Sequence, residues 1–116
     1  MGQLNDLEER SYQFAKNVGL FVKGLTKTLT NIEYAKQVIR SSGSVGANYI
    51  EANEALSKKD FVMRIKICRK EAKESHYWLR LITETNPDIL RNEGSQLMNE
   101  AEELKKIFSA ILIKSA

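Results

Sequence analysis

Lys59, Lys66, Lys73 and Arg80 recur every seven residues, and Lys70 lies among them. Seven residues are close to two helical turns, so on a helix these side chains share one face. A row of cations at that spacing can follow a phosphate backbone. Residues 58–80 hold eight basic and three acidic groups, residues 1–57 are balanced, and residues 81–116 are slightly acidic. The whole excess behind the net charge of +3 therefore sits in this segment. Glu71 and Glu74 dilute the row, and for a single helix a solvated face is the plainer reading. If the row does bind RNA or DNA, binding is electrostatic, weakly sequence-specific and steeply salt-dependent.

A second stretch raises a different chemistry. "RSSGSVGAN", residues 40–48, holds two glycines and three serines between good helix-forming flanks. A turn of this kind near an arginine could hold a phosphate through backbone N–H groups. The familiar phosphate loops join a strand to a helix, however, and no strand precedes this one. Val38, Ser42, Val45 and Tyr49 also keep helical phase straight through it. A continuous helix is the expectation. Each interior glycine costs about 1 kcal/mol against alanine, so Gly43, Gly46 and Ala47 are expected to form a flat surface for close approach of another backbone. That backbone belongs to the same chain or to another subunit. A bulky residue at Gly43 is expected to cost on the order of 1–3 kcal/mol through overpacking. Arg40, Ser44, Asn48 and Glu51 form a polar line beside this surface. The plain reading is a solvated stripe; the sharper one is a polar seam at a subunit interface or a ligand site.

Catalytic constellations are not evident. His76 is the only histidine and falls at the border of an apolar stripe. Cys68, the only cysteine, falls on that stripe and is expected to be a small, inert core residue. The Glu-x-x-His pattern of di-iron bundles fails because position 73 is lysine. No cofactor is expected. Trp78, Tyr77, Tyr49, Phe14, Phe21 and Phe108 are read as core or interface aromatics rather than base-stacking platforms.

Four helical segments must position these groups. The first runs from about Asp6, a plausible N-cap, to Leu25, with the stripe Leu7, Ser11, Phe14, Val18, Phe21, Leu25. The second starts near Asn31, another cap candidate, and reaches about Leu56, with Ala35, Val38, Ser42, Val45, Tyr49, Ala52 and Leu56. The third opens after Ser57, with Asp60 at its third position, and carries Phe61, Ile65, Cys68, Ala72, Ser75, Leu79 and Ile82. It ends before Pro87, which cannot continue it. The fourth begins between Ile89 and Glu93 and runs to Ile113, with Leu90, Gly94, Leu97, Ala101, Leu104, Phe108 and Ile111. Steps of three and four are the seam of helices crossing at a shallow angle. Short connections make neighbours antiparallel. The prediction is an all-α, antiparallel up-down-up-down four-helix bundle forming one domain over 1–116.

The 116 residues suffice for one core without disulfides. A single thiol fits a reducing compartment, and the expected location is cytoplasmic. No apolar run approaches the ~20 residues of a membrane span. The N-terminal "MGQLNDLEER" reads as neither a secretory nor a myristoylation signal.

Residues 39–82, "IRSSGSVGANYIEANEALSKKDFVMRIKICRKEAKESHYWLRLI", resemble the small four-helix proteins encoded within intervening sequences of bacterial large-subunit ribosomal RNA genes. The shared pattern is Arg40, Ser41, Ser42, then Ala47, Asn48, Glu51, then Lys59, Asp60, Phe61, and finally Glu74, Trp78, Leu79. The flanking helices agree in length and phase. One departure is Glu51-Ala52-Asn53, where many members carry Glu-Gly. The resemblance implies a bundle that assembles into a ring-like homopentamer. A related group, the accessory proteins of diversity-generating retroelements, assists a reverse transcriptase and binds nucleic acid through a basic surface. With that association, nucleic-acid binding through Lys59, Lys66, Lys70, Lys73 and Arg80 stands level with the solvated-face reading. The expectation is a non-enzymatic homo-oligomer that binds nucleic acid or a nucleoprotein. The alternative is a protein-interaction scaffold with no nucleic-acid contact.

Overall fold

The computed structural model describes residues 3–116, with side chains from Asp6 onward. The reading of the N-terminal decapeptide as lacking a targeting signal lies partly outside the described residues. Four helices follow one another: α1 (Gln3–Lys23), α2 (Leu29–Asn53), α3 (Lys58–Thr85) and α4 (Arg91–Lys114), the last preceded by a 3-10 turn, Asp88–Leu90. No strand occurs among the described residues.

The helix ends follow local chemistry. Ser57 Oγ accepts a hydrogen bond from the Asp60 N–H at 3.1 Å, the N-cap expected for α3. The α2 cap is Thr28, not Asn31: Thr28 Oγ1 accepts from the Asn31 N–H at 3.1 Å. Asn31 lies a turn inside, where its side chain and that of Asn86 exchange hydrogen bonds of 3.0 Å. This reciprocal amide pair ties the start of α2 to the end of α3. Asp6 likewise sits inside the first turn of α1 rather than capping it. Helix α2 stops at Asn53, so Leu56 belongs to the connection and is fully exposed.

Helix α2 is continuous through Gly43 and Gly46, with no positive φ anywhere among the described residues. The stripes close into one core. Phe14, Val18 and Phe21 from α1, Val38, Val45 and Tyr49 from α2, Ile65, Cys68 and Leu79 from α3, and Leu97, Leu104 and Phe108 from α4 are all buried. Each large apolar side chain so removed from water contributes roughly 1.5–3 kcal/mol before entropy is counted. Paired residues fix the directions. Ser41 meets Ser75 and Asn31 meets Asn86 across α2–α3, Gly94 meets Thr83 across α3–α4, and Arg10 meets Glu100 across α1–α4. Across α2–α3 one number rises as the other falls, as it does for Glu8–Asn53 and Ser11–Gly46 across α1–α2, so these neighbours are antiparallel.

Helix α3 is central, packed at length against both α2 and α4. Helix α1 leans on α2 and meets α4 over a much smaller surface. The Arg10 guanidinium bridges that thin seam, donating to both Glu100 oxygens at 2.7 and 2.8 Å.

The glycines divide differently from expectation. A Cβ on Gly46 would stand 3.4 Å from Ser11 Cβ, so α1 does come close there. A Cβ on Gly43 would meet nothing within 4 Å. The expected overpacking at Gly43 therefore does not exist within the subunit, because this position points away from all three neighbouring helices. The tightest approach is at Gly94, where a Cβ would stand 3.1 Å from Thr83 Cβ and closer still to Thr83 Oγ1.

Candidate nucleic-acid interface

The outer face of α3 begins with the seam behind it. Ile65, Cys68, Ala72, Ser75, Leu79 and Ile82 point into the core. The opposite arc is thereby left to solvent, and Lys59, Lys66, Lys70, Lys73 and Arg80 all lie exposed on it. Over the 21 residues from Lys59 to Arg80 a helix rises about 32 Å. Among the described residues, Lys59, Lys66 and Lys73 have no carboxylate within ion-pair distance, and neither does the neighbouring Arg69. Arg80 pairs with Glu84 at 3.1 Å, and Lys70 reaches Glu71 at 3.8 Å.

The expected dilution by Glu71 and Glu74 takes a different form. Both carboxylates turn toward α2, where the Arg40 guanidinium receives them: 3.3 Å to Glu71, and a close contact to Glu74. The Glu71 side chain is only 7% exposed. One arginine of α2 thus draws two acids of α3 toward the seam, with Glu71 still 3.8 Å from Lys70.

Two residues of the row were not anticipated. Met63 and Tyr77 interrupt the lysines on the same arc, and Tyr77 is 57% exposed. Tyr77 is therefore not part of the subunit core, and an interface role for it requires another molecule. Its neighbour Trp78 is half-buried, with ring centroids 5.0 Å from Tyr77 in an edge-on contact and 5.9 Å from Tyr34. The Trp78 Nε1–H donates to Glu74 at 3.4 Å. The spacing carried the signal: Tyr77 is four residues after Lys73 and three before Arg80.

The polar line on α2 separates into parts. Arg40 binds the two glutamates. Asn48 donates to the Ser44 carbonyl and hydroxyl, both at 2.9 Å, and its own Oδ1 accepts from Arg64 at 3.0 Å. Arg40, Ser44 and Asn48 are thus tied to α3 of the same chain, directly or through one another. Glu51 stands exposed, apart from this seam. Gly46 faces α1, whereas Gly43 and Ala47 are exposed, flanked by Ile39 and Ile50, each about half exposed.

Cys68 is fully buried, and its thiol donates to the Val45 carbonyl at 3.4 Å. Burial pushes its pKa up to about 12, so the thiol is neutral and unreactive at ordinary pH. His76 is half-buried at the stripe border. Among the described residues no group of three or more His, Cys, Asp or Glu side chains could hold a metal ion, and no helix is long and apolar enough to cross a membrane.

Comparison with known proteins gives the architecture a lineage. The crystal structure of a protein of unknown function from the S23 ribosomal protein family of Bacteroides thetaiotaomicron superposes with a TM-score of 0.82 at 33% sequence identity, covering 91% of this chain and 97% of that one. No curated protein sequence matches the chain. The model of the 23S rRNA-intervening sequence protein family matches residues 5–110. By that match and by its bundle, the chain belongs to the 23S rRNA-intervening sequence protein family.

Proposed function

We propose that this protein is a non-enzymatic, cytoplasmic, homo-oligomeric bundle that binds nucleic acid along the outer face of α3. The observation that carries the reading is the fate of the charges. Lys59, Lys66 and Lys73 stand exposed without counter-charges, while the nearest acids, Glu71 and Glu74, are drawn into the α2–α3 seam by Arg40. Three lysines without counter-charges retain their field for an outside polyanion.

Self-association is supported by the outer face of α2. Ile39, Gly43, Ala47 and Ile50 form an exposed small and apolar strip. Gly43 costs about 1 kcal/mol of helix propensity, and no contact within the subunit explains it. A neighbouring copy packed on this strip would. The family resemblance implies five copies in a ring, which would repeat the α3 row around the assembly.

The test is a fluorescence-anisotropy titration with a 30-nucleotide RNA and its DNA counterpart. Five phosphate contacts predict that affinity falls on the order of 10²–10³-fold between 50 and 200 mM salt. Lys66→Glu with Lys73→Glu is expected to abolish binding while leaving the circular dichroism and oligomer mass unchanged. Binding that survives this double change at 200 mM salt would show that the row is not the contact surface. A monomer by light scattering at micromolar concentration would remove the assembly.

A further inference from the structure

We infer that the α3 face is built for single-stranded nucleic acid, with an unpaired base stacked on the ring of Tyr77. This rests on the proposed binding through the lysine row and narrows its substrate class. Tyr77 lies between the last two cations of the arc, with Lys73 one turn before it and Arg80 one turn after. At 57% exposure the Tyr77 ring offers an open face on which a base can stack. The ring is also held in place. Trp78 contacts it edge-on at 5.0 Å, Tyr34 supports Trp78 at 5.9 Å, and Glu74, bound by Arg40, accepts from the indole N–H. A pre-positioned ring loses little freedom when a base settles on it.

Duplex and single strand differ in what they can give such a site. In a duplex the base faces are already stacked on one another, and only phosphates and groove edges reach a helix face. A single strand offers both phosphates for the lysines and a free base face for the ring. Stacking is tolerant of base identity because every base has a π-face. Weak sequence preference and strong strand preference are therefore expected together. Met63, 53% exposed on the same arc, adds a second, softer apolar contact nearer the start of α3.

The experiment compares a 15-nucleotide oligo-U and oligo-dT with a duplex of equal length, using the intact protein, Tyr77→Leu, Tyr77→Phe and the Lys66→Glu, Lys73→Glu double variant. Tyr77→Leu keeps bulk against Trp78 but removes the π-face, and its melting temperature verifies folding. Tyr77→Leu is expected to lose about 5- to 100-fold in single-strand affinity, with duplex affinity and salt slope unchanged, and Tyr77→Phe is expected to stay within about twofold of the parent. Trp78 is the only tryptophan, so its emission should be quenched when the single strand binds. Equal single-strand affinity of Tyr77→Leu and parent, a preference for duplex, or unchanged Trp78 emission at saturation overturns the stacking inference. If the lysine double variant still loses binding in those cases, the row itself stands. Failure of the parent to bind either strand form at 50 mM salt overturns both.

Discussion

The α3–α4 seam holds a glycine in the first turn of α4 and the outer face of α2 holds one in mid-helix, and only one of them has a reason inside the subunit. Gly94 lies against Thr83, whose hydroxyl donates to the Leu79 carbonyl at 2.7 Å, and a Cβ there would collide with that side chain. Gly43 looks onto open space between Ile39 and Ile50. Gly43 carries the full cost of a glycine in a helix interior, and Gly94, at the start of its helix, carries less. At Gly94 that cost is offset by close contact between helices that the chain itself supplies. At Gly43 nothing in the chain offsets it, and the offset must come from outside. A small residue on a helix surface is thus informative only once its neighbours are known.

Replacing both glycines separates the two explanations. Gly43→Leu should have the largest effect, but on assembly alone. Light scattering is expected to show a shift from oligomer to monomer, while the dissociated subunit melts no lower than the parent, since leucine gains helix propensity there. A lower-melting subunit, or an intact oligomer, would erase the contrast. Gly94→Ala should destabilise the subunit by roughly 1–3 kcal/mol in urea melts, because Thr83 must leave a buried, hydrogen-bonded position. A neutral result would mean the α3–α4 seam yields more easily than its geometry implies.

The smallest effect reports on the seam that lies between these two regions. Cys68 sits at the α2–α3 contact with its pKa raised by burial to about 12 from an ordinary 9.0. The folded state thus holds the thiol proton more tightly than the unfolded chain. The stability this contributes is whole below pH 9 and declines as pH climbs toward about 12. The stability difference between parent and Cys68→Ala should narrow over that window, and a thiol reagent at pH 8 should label Cys68 only as fast as the protein opens. Rapid labelling would show that this seam is looser than the strip outside it.

Most of the architecture was legible because burial follows period. From Leu7 to Leu25, from Val38 to Ala52 and from Gly94 to Phe108, every residue assigned to a stripe is buried. Caps were less legible. Asn31 has the right side chain for a cap, but Thr28 lies at the chain's actual turn and leaves Asn31 free to reach Asn86. Partner choice was least legible. Nothing in the spacing of Glu71 and Glu74 says whether they face the lysines or face Arg40, since that depends on the rotation of α3 against α2. Tyr77 shows the same limit: aromatic character suggests the core or an interface, and its position on the arc excludes the core of the subunit.

Arg40 never joins the outer row, yet it governs how that row looks from a distance. By taking up two carboxylates at once it acts as a counter-charge sink, and the side chains left facing solution on α3 are more positive than the helix composition implies. Were Arg40 neutral, Glu74 would be free to swing toward Lys70, which already lies 3.8 Å from Glu71, and screen it further. The attraction felt by an approaching polyanion is thus adjustable from the neighbouring helix, without altering any residue that touches it.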